Sequence, residues 1–447
     1  MKRFALVALL AAMLFGIASS ASATELMVKG NLDVYGLWSA NLRDFDSDNG
    51  DADNYFTSQR MRTYFTFQTN ENLKAVLGLE MNHVWGQEGG NGAGGAWGTD
   101  GRDNIRVKHA YLDFVFPDTQ INVKAGLQSI SLPSVFGNPV FDDDAAALVV
   151  SAPINDMFGI AVGYTRGADK YDNYDDFKTN GVVNDYNGGD DKDMFFLAAP
   201  VTLDGFSVTP YFAYAVVGEE NADVTIAGNT FSATDDANIW VLGANAQLTM
   251  FDPLTFAADL IYGQSDWEFS GEDYESDGWY AALMASYKLE MMTASLFGTY
   301  ATGYSDDKDL DVLPSLSEGF ELSPYLGGAR AFNTGVSDGF AGATWGDVGL
   351  NGLGIWTIGV KLSDISFVEK LSHDIMLVYA EGTSDKNAGV MFDEKDSAWE
   401  FYMVNKYMIY ENLAAINELG YFAPDYDGNT YEDDASYFAT IGFSYKF

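Results

Sequence analysis

Side-chain chemistry in this chain is sparse and lies almost entirely in charge. There are three histidines, His83, His109 and His373, and no cysteine. Disulfides and thiolate metal sites are therefore excluded. No Ser, His and carboxylate stand at a recognisable spacing, and no H-x-x-x-H pair is available for zinc. In the strand pattern derived below, His83 and His109 carry lipid-facing or strand-end parity, and His373 begins a strand after a turn. The stretch Gly90-Asn91-Gly92-Ala93-Gly94-Gly95 matches G-x-G-x-x-G. No helical pattern follows it, and its acidic surroundings would repel a pyrophosphate. The residues argue against an enzyme.

Charge spacing is more informative. Arg60 and Arg62 alternate with Met61, Thr63, Phe65 and Phe67. Arg106 and Lys108 alternate with Ile105 and Val107, and Lys124 opposes Ile121, Val123 and Ala125. If the apolar partners face lipid, these cations line one wall of an aqueous passage. Asp142, Asp143 and Asp144 form a row that could stand against that wall. Opposed rows of cation and anion make a transverse field that orders water and tests solute dipoles. Two plainer readings compete: the cations solvate a wide lumen, or the aspartates sit on an ordinary external loop.

Other acids gather in Asp/Gly/Asn/Ser-rich stretches, as at Asp44, Asp46 and Asp48. That trio starts like a calcium loop. Asn49 follows where Gly is required and Tyr55 stands where a bidentate Glu is needed, so an EF-hand fails. Other Ca²⁺ or Mg²⁺ geometries stay open beside a solvated, self-repelling surface. No other cofactor is implied.

The elements that position these residues are strands. From Tyr437, alternate residues are Tyr437, Ala439, Ile441, Phe443, Tyr445 and Phe447, and Thr440, Gly442, Ser444 and Lys446 lie between them. Near the other end Leu26, Val28, Leu32, Val34 and Trp38 share one face, while Lys29, Asn31, Asp33 and Ser39 share the other. This is the period of two of a half-buried strand. Pairing the first and last strands would close the sheet and remove its edges. Short turns such as Thr69-Asn70-Glu71-Asn72 and Leu203-Asp204-Gly205 alternate with long stretches at 42–57, 86–103, 167–192, 218–236, 264–277, 304–351, 382–397 and 423–435. This predicts an all-β fold: one transmembrane antiparallel barrel of about 18 strands, with 16 as the alternative, short periplasmic turns and long external loops. Weak segments near 146–153 and 193–201 are where the count could slip. Trp38, Trp85, Trp240, Trp267, Trp279, Trp356 and Trp399 fall near strand ends, as interfacial girdles require.

Composition agrees. Residues 1–23 read as a cleavable signal, with Lys2 and Arg3 before an apolar run and Ala21-Ser22-Ala23 at the cut, leaving 24–447 as the barrel. The longest later apolar run, 145–153, is about half a spanning helix. A net charge of −41 argues against nucleic acid, and 47 % hydrophobic residues argue against disorder. Stacked sandwiches would need linkers, and none is legible.

These features resemble the trimeric diffusion porins of Gram-negative bacteria, and more narrowly the homotrimeric outer-membrane porins of sulfate-reducing bacteria. The likeness is carried by Tyr445-Lys446-Phe447 with its alternating partners, and by Ala125-Gly126-Leu127-Gln128 followed by Pro133 to Ala147. It implies a homotrimer, a third loop folded into the lumen and bearing Asp142–Asp144, and an assembly signal at Ile441, Phe443, Tyr445 and Phe447. It also implies contact with the barrel-assembly machinery, outer-membrane lipid and lipopolysaccharide. The expected function is passive diffusion of small hydrophilic solutes. A substrate-selective channel with a saturable site is the alternative, and a surface barrel whose lumen is blocked, through the long 304–351 segment, is a third reading.

Overall fold

The computed structural model describes residues 24–447 except 42–44, 49–53, 89–94, 99–104, 169–190, 220–221, 223, 227–228, 232–234, 270–271, 306–309, 318, 333–353, 387–391 and 428–431. The signal segment lies outside the described residues. The strands are β1 (Glu25–Ala40), β2 (Asn54–Asn70), β3 (Leu73–Val84), β4 (Ile105–Val115), β5 (Asn122–Ser131), β6 (Asp142–Pro153), β7 (Gly159–Ala168), β8 (Lys192–Ala198), β9 (Val201–Leu203) and β10 (Phe206–Val217). They continue as β11 (Val224–Ile226), β12 (Asn229–Phe231), β13 (Ala237–Phe251), β14 (Leu254–Phe269), β15 (Glu272–Lys288), β16 (Thr293–Ala301), β17 (Ile355–Val368), β18 (Leu371–Gly382), β19 (Ser397–Tyr410), β20 (Leu413–Asp425) and β21 (Ser436–Lys446).

Successive wall strands pair antiparallel, with β8 and β9 both on β10 and β10 followed in the wall by β13, and β1 also pairs with β21, from Asn31 opposite Lys446 to Ala40 opposite Tyr437. The sheet is therefore closed. β8 and β9 both pair with β10 and form one wall strand broken at Ala199-Pro200, where proline has no N–H for the ladder. β11 and β12 form a separate hairpin within an external connection. The wall therefore has 18 strands, and among the described residues there is no α-helix.

Lipid explains the outer face. Hydrocarbon offers no hydrogen bonds, so backbone groups must pair within the sheet and outward side chains must be apolar. Leu242, Leu260, Leu283, Leu296 and Ile358 are exposed on that face, while their strand neighbours Val241, Ile261, Ala282 and Thr357 are buried inside. Trp38, Trp85, Trp279 and Trp399 stand outward near the rims, and Trp240 and Trp356 join ring clusters with Tyr262 and Tyr379.

Three expectations are corrected here. The stretch 264–277 is not a long loop: β14 and β15 stay in register from Ser265 opposite Ser276 to Phe269 opposite Glu272. Trp267 is consequently an inward residue, 8 % exposed, with its Nε1 donating to Ser265 Oγ. Asp142–Asp144 open β6, paired with Ser129–Ser131, and do not lie on the loop before it.

Leu283→Arg should destabilise the barrel by ~2–4 kcal/mol, whereas Gln247→Arg, on the inner face of β13, should be close to neutral. Urea unfolding from lipid vesicles measures both.

Candidate functional site: a lumen narrowed by two inward loops

Two external connections turn into the lumen. The first, loop 3 (132–141), joins β5 to β6 and reaches across to the opposite wall. Asp259 on β14 accepts Val135 N–H at 2.7 Å and Ser134 Oγ–H at 2.9 Å on one oxygen, and Asn245 Nδ2 at 2.7 Å on the other. Asn138 Nδ2 donates to Tyr211 Oη at 3.0 Å, while its Oδ1 accepts the N–H groups of Val140 and Phe141. Phe136 meets the Phe297 ring of β16 at 5.4 Å. The inward third loop is thus present and is held by specific polar bonds.

The second connection, loop 7, runs between β16 and β17. It was expected outside, with plugging of the mouth as one possibility. Its described part, from Leu310 to Phe332, descends into the barrel. It leaves along β15, where Leu310 exchanges backbone bonds with Glu275 and Asp277, and Ser276 Oγ donates to Val312 O at 2.8 Å. Gly278 is needed there, since a Cβ would lie 2.1 Å from Leu313 N. The loop then pairs with loop 3: Leu316 N bonds Val140 O, Gly319 N bonds Asn138 O, and Glu321 N bonds Phe136 O. Gly137, with φ +74°, permits this crossing, because a Cβ would stand 1.8 Å from Gly319 O.

Beyond the crossing, loop 7 docks on β19–β21 and β1. Tyr325 stacks on Phe422 at 4.8 Å and its hydroxyl lies 3.0 Å from Ser436 Oγ. Phe332 stacks on Tyr35 at 4.9 Å. Tyr35 is thereby covered, at 1 % exposed. Leu313, Phe320, Leu322, Tyr325, Leu326 and Phe332 are buried, so the upper lumen is packed apolar.

The expected charged residues are distributed as follows. Lys446, Asn31, Arg62, Glu80 and Arg106 lie abreast on β21, β1, β2, β3 and β4, and Arg62 Nε pairs with Glu80. Arg60, 4 % exposed, lies abreast of Asp33. Lys124 is abreast of Asp113 and sits over the Tyr111 ring at 4.4 Å, while Lys74 pairs with Asp113 at 3.0 Å. A register shift in β4 opposite Gly78 and Leu79 inserts one extra residue, Lys108. Both Lys108 and His109 reach Asp144, His109 Nε2 at 3.0 Å from Oδ1. His109 also faces the rings of Tyr64 and Tyr111 at 5.4 and 6.0 Å. Its lipid-facing parity is therefore corrected: the bulge resets the alternation. Asp143 accepts Ser317 Oγ–H at 2.7 Å, which ties the start of β6 to loop 7. Ile441, Phe443, Tyr445 and Phe447 face outward, and Phe447 exchanges backbone bonds with Gly30.

Reasoning from the sequence missed a second group of cations. Lys361, Lys406, Lys446 and Arg330 line a cavity of about 600 Å³ beneath loop 7, with Asp374 and Glu411 as its acids. Met376, Met408, Ala414 and Ile416 supply its apolar wall. A smaller space of about 380 Å³ lies between β6–β8 and loop 7, with Lys192, Asp143 and Asp144 on its walls. Lys192 Nζ donates to Leu316 O at 2.9 Å. Strand alternation would have marked Lys361, Lys406 and Lys446 as inward.

For the loop-calcium expectation, Asp44 lies outside the described residues. Asp46 accepts Asp48 N–H at 2.9 Å, and Asp434 accepts bonds from the Ser47 side chain and, at 2.9 Å, from its N–H, which together hold the Asp434 carboxyl below its usual range. Among the described residues no three His, Asp or Glu side chains are grouped to hold a metal ion.

Fold and site together define a class: a closed 18-stranded barrel whose lumen is narrowed by inward loops. Several solved structures share the fold. OpdL of Pseudomonas aeruginosa is 12 % identical with a TM-score of 0.52, over 95 % of this chain and 99 % of that one. The outer membrane protein OprD of P. aeruginosa is 11 % identical, TM-score 0.52, over 96 % of both chains. OccAB1 of Acinetobacter baumannii is 12 % identical, TM-score 0.54, over 96 % of this chain and all of that one. No protein-family model and no curated protein sequence matches the chain.

Asp259→Ala should free loop 3, because it leaves Val135 N–H without its acceptor at about 1–3 kcal/mol. Single-channel conductance should rise, and it should stay near wild type in Asp259→Asn.

Proposed function

We propose that the chain is a substrate-selective outer-membrane channel for small anionic solutes, with a saturable site in its lumen. The observation that carries this reading is the cavity of Lys361, Lys406, Lys446 and Arg330 beneath loop 7. A chain of net charge −41 places these cations together on its inner wall. Fixed cations in a confined aqueous space raise the local concentration of anions and bind them weakly enough to let them leave. The apolar side of the same cavity favours solutes with an organic body over bare inorganic ions.

A wide diffusion pore is less well supported, since loops 3 and 7 occupy the upper lumen through residue-specific bonds. The likeness to the outer membrane protein OprD supports an outer-membrane location. The homotrimer, the assembly signal and the lipopolysaccharide contacts implied by the porin resemblance belong to this proposal.

In planar bilayers the purified protein should give stepwise conductance, in units of three if trimeric, with anions favoured. Replacing Lys361, Lys406 and Lys446 with Gln should move the reversal potential toward cations and raise the half-saturating concentration of an organic anion severalfold. Neutralising Arg60, Arg62 and Arg106 tests the other wall in the same way. A current that never saturates would sink the binding site while leaving the channel.

A further inference from the structure

We propose that residues 323–332 of loop 7 form a gate whose docked position is opposed by the burial of two wall carboxylates, Glu400 and Glu418. The proposal rests on the channel reading above. Glu400 of β19 is 1 % exposed and Glu418 of β20 is fully buried, although both project toward the lumen. Glu400 accepts Ser323 Oγ–H at 2.5 Å and Tyr325 N–H at 3.2 Å. Glu418 accepts Ala331 N–H at 2.8 Å, Tyr402 Oη–H at 2.6 Å and Thr440 Oγ1–H at 2.7 Å. Every one of these partners is neutral. Among the described residues neither glutamate forms an ion pair. Arg330, the cation on this segment, rides over the rings of Tyr35 and Phe438 at 6.0 and 5.9 Å.

The loop itself removes water from these carboxylates. Without it, both would face an aqueous lumen and be hydrated at no cost. With it, neutral donors return only part of the lost hydration. Ring stacking on Phe422 and Tyr35 pulls the segment in, and charge burial pushes it out. A fixed plug would be more stable with apolar side chains at both positions. Opposed contributions of similar size are what a two-state element requires. Leu322, Arg330 and Ala331 also line the 600 Å³ cavity, so release of the segment would widen the site that holds the solute.

The amide isosteres Glu400→Gln and Glu418→Gln test this directly. A Gln at 400 can accept Tyr325 N–H and donate to Ser323 Oγ, and a Gln at 418 can accept Ala331 N–H and donate to Thr440 Oγ1. The bonds survive and the charge burial disappears, so the segment should dock more firmly. Open-channel occupancy in bilayers should fall about tenfold in the double variant. Ser323→Ala, which removes a donor from Glu400, should raise it. Because the chain has no cysteine, Leu326→Cys gives a single thiol, hidden at a position 2 % exposed in the docked state. Its reaction with a charged maleimide in intact vesicles should slow about tenfold when the two Gln changes are added. Unchanged or faster labelling, or unchanged or greater open occupancy, in the Gln variants would overturn the gate. Wild-type protein that passes no current would instead overturn the channel reading, and the thiol rates would still decide the motion of the segment.

Discussion

The hydrocarbon interior of a bilayer contains nothing that can accept or donate a hydrogen bond to a peptide group. A chain that crosses it in strands must therefore bond every strand on both sides, and only a ring does so. Here β1 completes the ring between β2 and β21. The same constraint fixes each side chain's direction. A one-residue slip would turn Arg60 and Arg62 into lipid and bring Phe65 and Phe67 inside, so register is strongly specified.

That strictness makes the strand residues legible in the sequence. Alternation placed Leu26 and Val28 outside and Arg62 and Lys124 inside, and the turns between strands gave a count of about 18 or 16, of which the structure has 18. The errors have two sources, a break in the alternation and a misplaced strand end. At His109 an extra residue in β4 resets the alternation, and nothing in the letters around Lys108 announces it. At Trp267 the paired ladder continues through residues that look like a polar loop. Loop 7 follows no period, so alternation could not show that it turns inward. Its composition held a clue: Leu310, Val312, Leu313, Leu316, Phe320, Leu322, Tyr325 and Leu326 crowd a segment flanked by Asp- and Gly-rich chain. Apolar density of that kind in a loop needs a surface to cover, and the inner wall supplies it.

Charge is sorted by the same geometry. The chain carries 65 acidic and 24 basic residues. Many acids fall in the external stretches, while Arg60, Arg62, Lys74, Lys124, Lys361, Lys406 and Lys446 share the inner wall. On the channel reading proposed above, a solute carrying negative charge would meet these cations in the lumen, interleaved with Asp33, Glu80 and Asp113.

Loop 7 is pinned to β15 by Leu310, Ser276 and Val312 before it turns inward, and its far portion alone meets the cavity. The cations of that cavity are thus divided between two kinds of chain: Lys361, Lys406 and Lys446 belong to β17, β19 and β21, and Arg330 belongs to the loop. Sequence change in the loop can reshape the roof of the cavity while the strand register, and with it three of the four cations, stays as it is.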